Sequence, residues 1–188
     1  MSNRALILVD VQNDFCPGGS LATERGSEVA AEIASFMESD VFRLNNYSHV
    51  VATQDWHIDP GSHFSDEPDF VDSWPVHCKA NTNGAAMHEK IDLEKIEAFF
   101  RKGEYEAAYS GFEGKADGVL LAEWLRHNDI DSIDVCGIAT DHCVRATALD
   151  GLKVGFKVRV LSGLCAAVDN ARGDRALNEM DEAGADLI

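Results

Sequence analysis

The chain has 188 residues, a length that fits one compact domain with a sheet covered by helices and is cramped for two. Its 16 Lys and Arg against 33 Asp and Glu give a formal charge of -17 at pH 7, a field that repels phosphate backbones and anionic lipid, so neither nucleic acid nor membrane is an expected partner. No run approaches the roughly 20 apolar residues of a membrane span, and the opening Met-Ser-Asn-Arg has no signal-peptide layout. The cysteines Cys16, Cys78, Cys136, Cys143 and Cys165 include no Cys-x-x-Cys pair, which suits a reducing compartment and an expected cytoplasmic location.

Residues 5–9, closed by Asp10, form an apolar run without alternation and predict a central strand buried on both faces. After a Gly-Gly-Ser turn at 18–20, one helix is predicted over 27–44, with Val29, Ile33, Phe36 and Met37 at helical spacing. A second strand over 49–53 ends at Asp55. Residues 56–95 lapse into Pro, Gly, Ser, Asn and Asp, far longer than an ordinary connection, and such a loop inside a domain usually has a function. There follow a strand over 96–100, an amphipathic helix over 119–127, a strand over 133–138, and a helix capped by Asp141 and running to about residue 153. A fifth strand over 157–161, a helix over 172–183 and an apolar end at 185–188 complete the pattern. The alternation predicts an α/β fold of three αβα layers, a doubly wound, mainly parallel sheet in a single domain over 1–188. In such sheets ligands sit at the carboxyl ends of strands. Asp10, Asp55, Lys102 and Cys143 all fall just after strands, so they are placed to converge.

Each has a chemistry suited to that place. Asp10 would be a partly desolvated carboxylate with a pKa free to move towards that of a useful base. Cys143, in the first turn of a predicted helix, is the best-placed nucleophile, since unsatisfied N–H groups and the dipole there favour a thiolate. Cys16, Cys136 and Cys165 read as small buried hydrophobes. Lys102, beside Gly103, would hold the carboxylate and the thiolate in their charged forms. In the long loop, Asp55 and His57 project to the same side of an extended chain. With His63 and His77 they make an Asp/His/His/His set suited to one divalent metal, and such donors accept zinc, iron or manganese without choosing. His49, His88 and His127 read as ordinary structural or surface residues. Residues 138–140 put backbone N–H groups beside Cys143, where they could bind an oxyanion. Asp14 reads as a turn or capping residue. Phe15 reads as a pocket or packing residue, and Trp74 and Tyr109 as candidate walls for a flat substrate.

Taken in order, DVQNDFCPGGSL, VATQDWHIDPGSHF, SWPVHC, RKGEYEAAYSGFEG and GIATDHCVRATALD resemble the nicotinamidases, also called pyrazinamidases, of the isochorismatase-like cysteine hydrolase superfamily. The resemblance covers most of the chain. It implies a triad of Asp10, Lys102 and Cys143, and a metal bound by Asp55, His57, His63 and His77 in a loop at about 55–95. It also implies a cis peptide between Ile138 and Ala139 that turns the Ala139 N–H towards substrate with that of Cys143. Phe15, Trp74, Tyr109, Ile138, Ala139 and His142 would line the pocket for the ring. The implied reaction converts nicotinamide and water to nicotinate and ammonia through a thioester, in NAD salvage, with pyrazinamide as a side substrate. A related carbamoyl or amide hydrolase, or a metal-binding module without catalysis, are the alternatives, and the oligomeric state is open between monomer and homodimer.

Overall fold

The computed structural model describes residues 3–188. In chain order its first half contains β1 (Arg4–Val9), α1 (Gly26–Glu38), α2 (Asp40–Asn45), β2 (His49–Asp55) and β3 (Ala98–Lys102). The second half contains β4 (Lys115–Ala116), β5 (Val119–Leu120), α3 (Leu121–His127), β6 (Ser132–Ile138), α4 (Arg145–Lys153), β7 (Lys157–Ala166), α5 (Asn170–Glu182) and β8 (Asp186–Leu187). All eight strands join one sheet in the order β5-β4-β3-β2-β1-β6-β7-β8. From β3 to β8 every pairing is parallel. Residues Ala5 to Val9 are wholly buried, as their unbroken apolar run predicts for a strand covered on both faces.

The chain steps from β1 to β2 and β3 in one direction, then from β6 to β7 and β8 in the other. Right-handed crossovers in opposite directions put their helices on opposite faces, which is the doubly wound arrangement. The reversal lies between β1 and β6. Asp10 leaves the carboxyl end of the first, and the segment leading to Cys143 leaves the second.

Four local expectations change. The helix predicted over 27–44 is two helices, because the Ser39 hydroxyl donates to Phe36 O and accepts from Phe42 N, ending α1 and capping α2. β3 begins two residues later than predicted, since Asp92 caps a short turn over Leu93–Lys95 that ends on Ile96. Lys102 is therefore the last residue of the strand rather than beyond it. Val119 is in an antiparallel hairpin with Lys115–Ala116, not in a helix. Asp117 and Gly118 make its turn at φ 49° and 82°, a strand connection that Asp-Gly favours. β7 continues past residue 161 to Ala166 through an irregularity in its pairing with β6. Residues 56–95 hold short turns over Gly61–His63 and Leu93–Lys95 and isolated bridges from His57 to Lys79 and from Phe64 to Trp74.

Candidate active site

Register explains how distant residues meet. Asp55 and Lys102 are paired partners on adjacent parallel strands, so their side chains leave the sheet on the same side. Lys102 Nζ is fully buried and touches three groups: Asp10 Oδ2 at 2.8 Å, Cys143 Sγ at 3.6 Å, and Asp55 Oδ1 in a close ion pair. Asp10 Oδ1 accepts from Thr53 Oγ1 at 2.6 Å, and Asp10 itself stands at φ 48° where β1 gives way to the loop. Cys143 lies in a π-helical turn over Thr140–Val144 that joins β6 to α4, just after a cis Ile138–Ala139 peptide. The acidic groups of Asp10, Asp55 and Cys143 lie within 4.8 Å of one another, but the Lys102 ammonium already occupies their centre. Lys102, in contact with all three, supplies the cation at that point.

The electrostatics correct one expectation. Burial pushes the Cys143 thiol well up, and although Lys102 opposes this, Asp10 and Asp55 add to it. Desolvation here outweighs what a helix start offers and favours the thiol over the thiolate. Burial also raises Asp10 against the pull of Lys102, which makes it a stronger base than an ordinary carboxylate. For Asp55 the balance reverses: burial is outweighed by Lys102 and by the neighbouring imidazoles of His57 and His77, holding it well below the usual carboxylate range. Burial alone would lower Lys102, yet Asp10, Asp55 and Cys143 together keep it firmly protonated.

On the other side of Asp55 are three buried imidazoles. Nitrogens of His57, His63 and His77 lie within 4.8 Å of one another. His57 Nδ1 donates to Gly103 O at 2.6 Å and His77 Nδ1 to Pro75 O at 2.7 Å. A carbonyl only accepts, so each Nδ1 carries a proton and Nε2 is the nitrogen left to face Asp55. Asp55 Oδ2 is 3.5 Å from the first Nε2 and 3.7 Å from the second. His57 Nε2 and His63 Nδ1 are buried without a hydrogen-bond partner, and burial followed by its two imidazole neighbours pulls His63 down to about 4. Partly orphaned imidazoles beside an ionised carboxylate fit a divalent metal, which would satisfy the nitrogens left without a partner.

A cavity opens between the two clusters. Phe15, Trp74, Tyr109, Ile138, Ala139, His142 and Cys143 line it, together with Asp55, His63 and His77. Asp10, Lys102 and His57 lie behind this wall. Trp74 Nε1 donates to the Tyr109 hydroxyl at 3.1 Å, and the Tyr109 and His142 rings stack at 6.3 Å. The cavity therefore has flat aromatic walls, a thiol at one end and imidazoles at the other.

Leu21, Thr23 and Val168 also line it. Leu21 sits inside the first sequence motif, and Val168 follows β7 at its carboxyl end, so the motif was the signal for the first and a strand end for the second. Gln12 has a role that no sequence signal marks: its side chain donates to Asp55 O and Ala85 O, each at 2.8 Å, and accepts from Asp55 N, holding the end of β2 like an extra strand. Asp141 does not cap the helix. Its carboxylate accepts from Val168 N at 2.9 Å and Asp169 N at 3.3 Å, because the turn after Ala139 directs it towards the β7–α5 connection.

A family profile described as Isochorismatase domain matches residues 4–188. Over 186 residues, 98% of each chain, the protein is 50% identical to the nicotinamidase/pyrazinamidase of Mycobacterium tuberculosis. Among solved structures it superposes on the pyrazinamidase of Pyrococcus horikoshii in complex with zinc with a TM-score of 0.82 and 36% identity, covering 99% of this chain and 98% of that one. PnC1 from L. infantum in complex with nicotinate gives a TM-score of 0.85 and 34% identity, covering 100% and 92%. The chain belongs to the isochorismatase family.

Proposed function

We propose that the protein is a metal-dependent cysteine amidohydrolase that converts nicotinamide and water to nicotinate and ammonia, acts also on pyrazinamide, and works in NAD salvage in the cytoplasm as one domain over 1–188. The observation that carries the mechanism is the position of Lys102 Nζ, 2.8 Å from the Asp10 carboxylate and 3.6 Å from Cys143 Sγ at the end of an aromatic cavity. A base, its cation and a thiol are then in reach of one carboxamide.

Asp10, with its raised pKa, takes the Cys143 proton as sulfur attacks the carboxamide carbon. Lys102 steadies the negative charge as it moves between them. The Ala139 and Cys143 N–H groups hold the oxyanion. Asp10 returns the proton to the departing nitrogen, ammonia leaves and a thioester remains. A water then gives its proton to Asp10 and its oxygen to the acyl carbon, and Asp10 passes that proton to sulfur as nicotinate departs. Phe15, Trp74, Tyr109, Ile138 and His142 hold the ring flat throughout. Asp55, His57, His63 and His77 would hold zinc, iron or manganese, whose chemistry there is to bind the ring nitrogen and withdraw electron density.

Ammonia release from nicotinamide by the purified protein, beside Cys143→Ala, tests this. Release by the wild type and none by the variant, with equal metal content, is expected. A wild type inert even after zinc, iron or manganese is supplied overturns the assignment.

A further inference from the structure

Asp14 is spaced and placed like a turn residue, yet its side chain reaches a segment 64 residues away. Its Oδ2 accepts from Cys78 N at 2.7 Å, while Oδ1 accepts from Ser20 N at 3.3 Å. Cys78 directly follows His77, is wholly buried, and stands at φ 45°, a left-handed conformation that a non-glycine residue keeps only when its surroundings hold it. The same residue is gripped from the other side, since its carbonyl accepts from His57 N at 3.0 Å, and Ala80 N donates back to His57 O at 2.8 Å. One strained residue thus joins the backbones of two of the three clustered imidazoles, and the Asp14 carboxylate is what holds its N–H.

The fit around that carboxylate is close. Asp14 N donates to Gly84 O and Leu21 N donates to Asp14 O, each at 3.0 Å. A Cβ at Gly84 would come within 2.1 Å of Asp14 Oδ2, so no side chain fits there without displacing it. An ionised acceptor on a buried N–H makes a stronger bond than a neutral one, and groups that orient metal ligands influence affinity without touching the ion.

We propose that Asp14 is a positioning residue for the metal centre, acting through Cys78 to fix His77 and His57 in register for a divalent ion. The proposal rests on the metal reading above. Its test is zinc affinity, measured by competition with a chromophoric chelator on metal-stripped protein, for wild type, Asp14→Ala and Asp14→Asn, each shown folded by circular dichroism at the working temperature. Asp14→Ala is expected to weaken zinc binding about ten- to a hundredfold, and Asp14→Asn, which keeps one acceptor oxygen, measurably but less. A purely structural role would lower the melting temperature of the metal-free protein and leave the affinity of the folded protein unmoved. Equal affinity in both variants and wild type overturns the proposal while leaving the metal reading standing; a wild type that binds no zinc overturns both. Should Asp14→Ala fail to fold, the Asn variant decides: weakened binding supports the proposal and unchanged binding overturns it.

Discussion

Lys102 is a fully buried cation between two buried carboxylates, and the energetics of such a group depend on which partner is removed. Taking the cation away leaves Asp10 and Asp55 facing each other without compensation, which is costlier than the ion pair was stabilising. Lys102→Ala is therefore expected to lose turnover and about 3–5 kcal/mol of stability, read from urea unfolding; a loss below about 1 kcal/mol would show that the carboxylates find another partner or take up protons freely. The cysteines offer a second prediction. Burial raises Cys16 to about 11 and Cys165 to about 12, and pushes Cys78 and Cys136 well above an ordinary thiol. At pH 8 a thiol of pKa near 11 is ionised only about one part in a thousand, and the thiolate is what reacts. The Cys143 thiol is raised as well, but among these cysteines it alone lines the cavity, beside Asp10, so iodoacetamide at pH 8 should label Cys143 first and leave the folded Cys143→Ala variant essentially unlabelled. Since the thiolate fraction rises with pH, Cys16 should begin to label only towards pH 11. Peptide mapping that found Cys16 or Cys165 modified at pH 8 would contradict this.

At the scale of elements, what the sequence disclosed followed the physics of burial. Strands buried on both faces are largely apolar, so β1 and most of β6 were legible, and with them the strand ends that lead to Asp10 and to Cys143. Boundaries set by one hydrogen-bonding side chain were harder, because Ser39 reads as an ordinary helix residue until its neighbours' positions are known. The Asp117-Gly118 turn is a two-residue connection that Asp-Gly favours, but helical spacing after residue 119 masks it in the sequence. The links made by Gln12 and Asp14 could not be read, since each joins segments more than 40 residues apart and the sequence carries no register between a strand end and a loop. The hairpin permits a clean test of backbone cost. Gly118 stands at φ 82° with nothing within 4 Å of an added Cβ, so Gly118→Ala meets no clash and only the left-handed conformation opposes it. A loss of about 1–2 kcal/mol with activity intact is expected. No loss in urea unfolding would mean that the turn relaxes to another conformation.

Over the whole molecule, the charge of -17 and the site act on different ligands. Nicotinamide is neutral and gains nothing from the field, whereas a divalent cation is drawn towards a strongly acidic protein. The fold leaves part of its interior unsatisfied, with His57 Nε2 and His63 Nδ1 buried and unpartnered, and these atoms lie on a loop pinned to β1 and β2 through Asp14 and Gln12. An ion that satisfies them binds the folded chain and not the unfolded one, so its affinity appears as global stability. At a free concentration a hundred times the dissociation constant, the linkage is worth about 2.7 kcal/mol. For a chain of this length, where 1 kcal/mol moves the midpoint by about 2–4 °C, that is a shift of about 5–10 °C. Stripping the protein with a chelator should lower the melting temperature by that much, and adding zinc should restore it. His63→Ala, which removes one donor, should shrink the difference between the stripped and loaded forms. A melting temperature indifferent to both chelator and zinc would mean that the three imidazoles hold no ion, and the cavity would then have to orient its substrate by Trp74, Tyr109 and His142 alone.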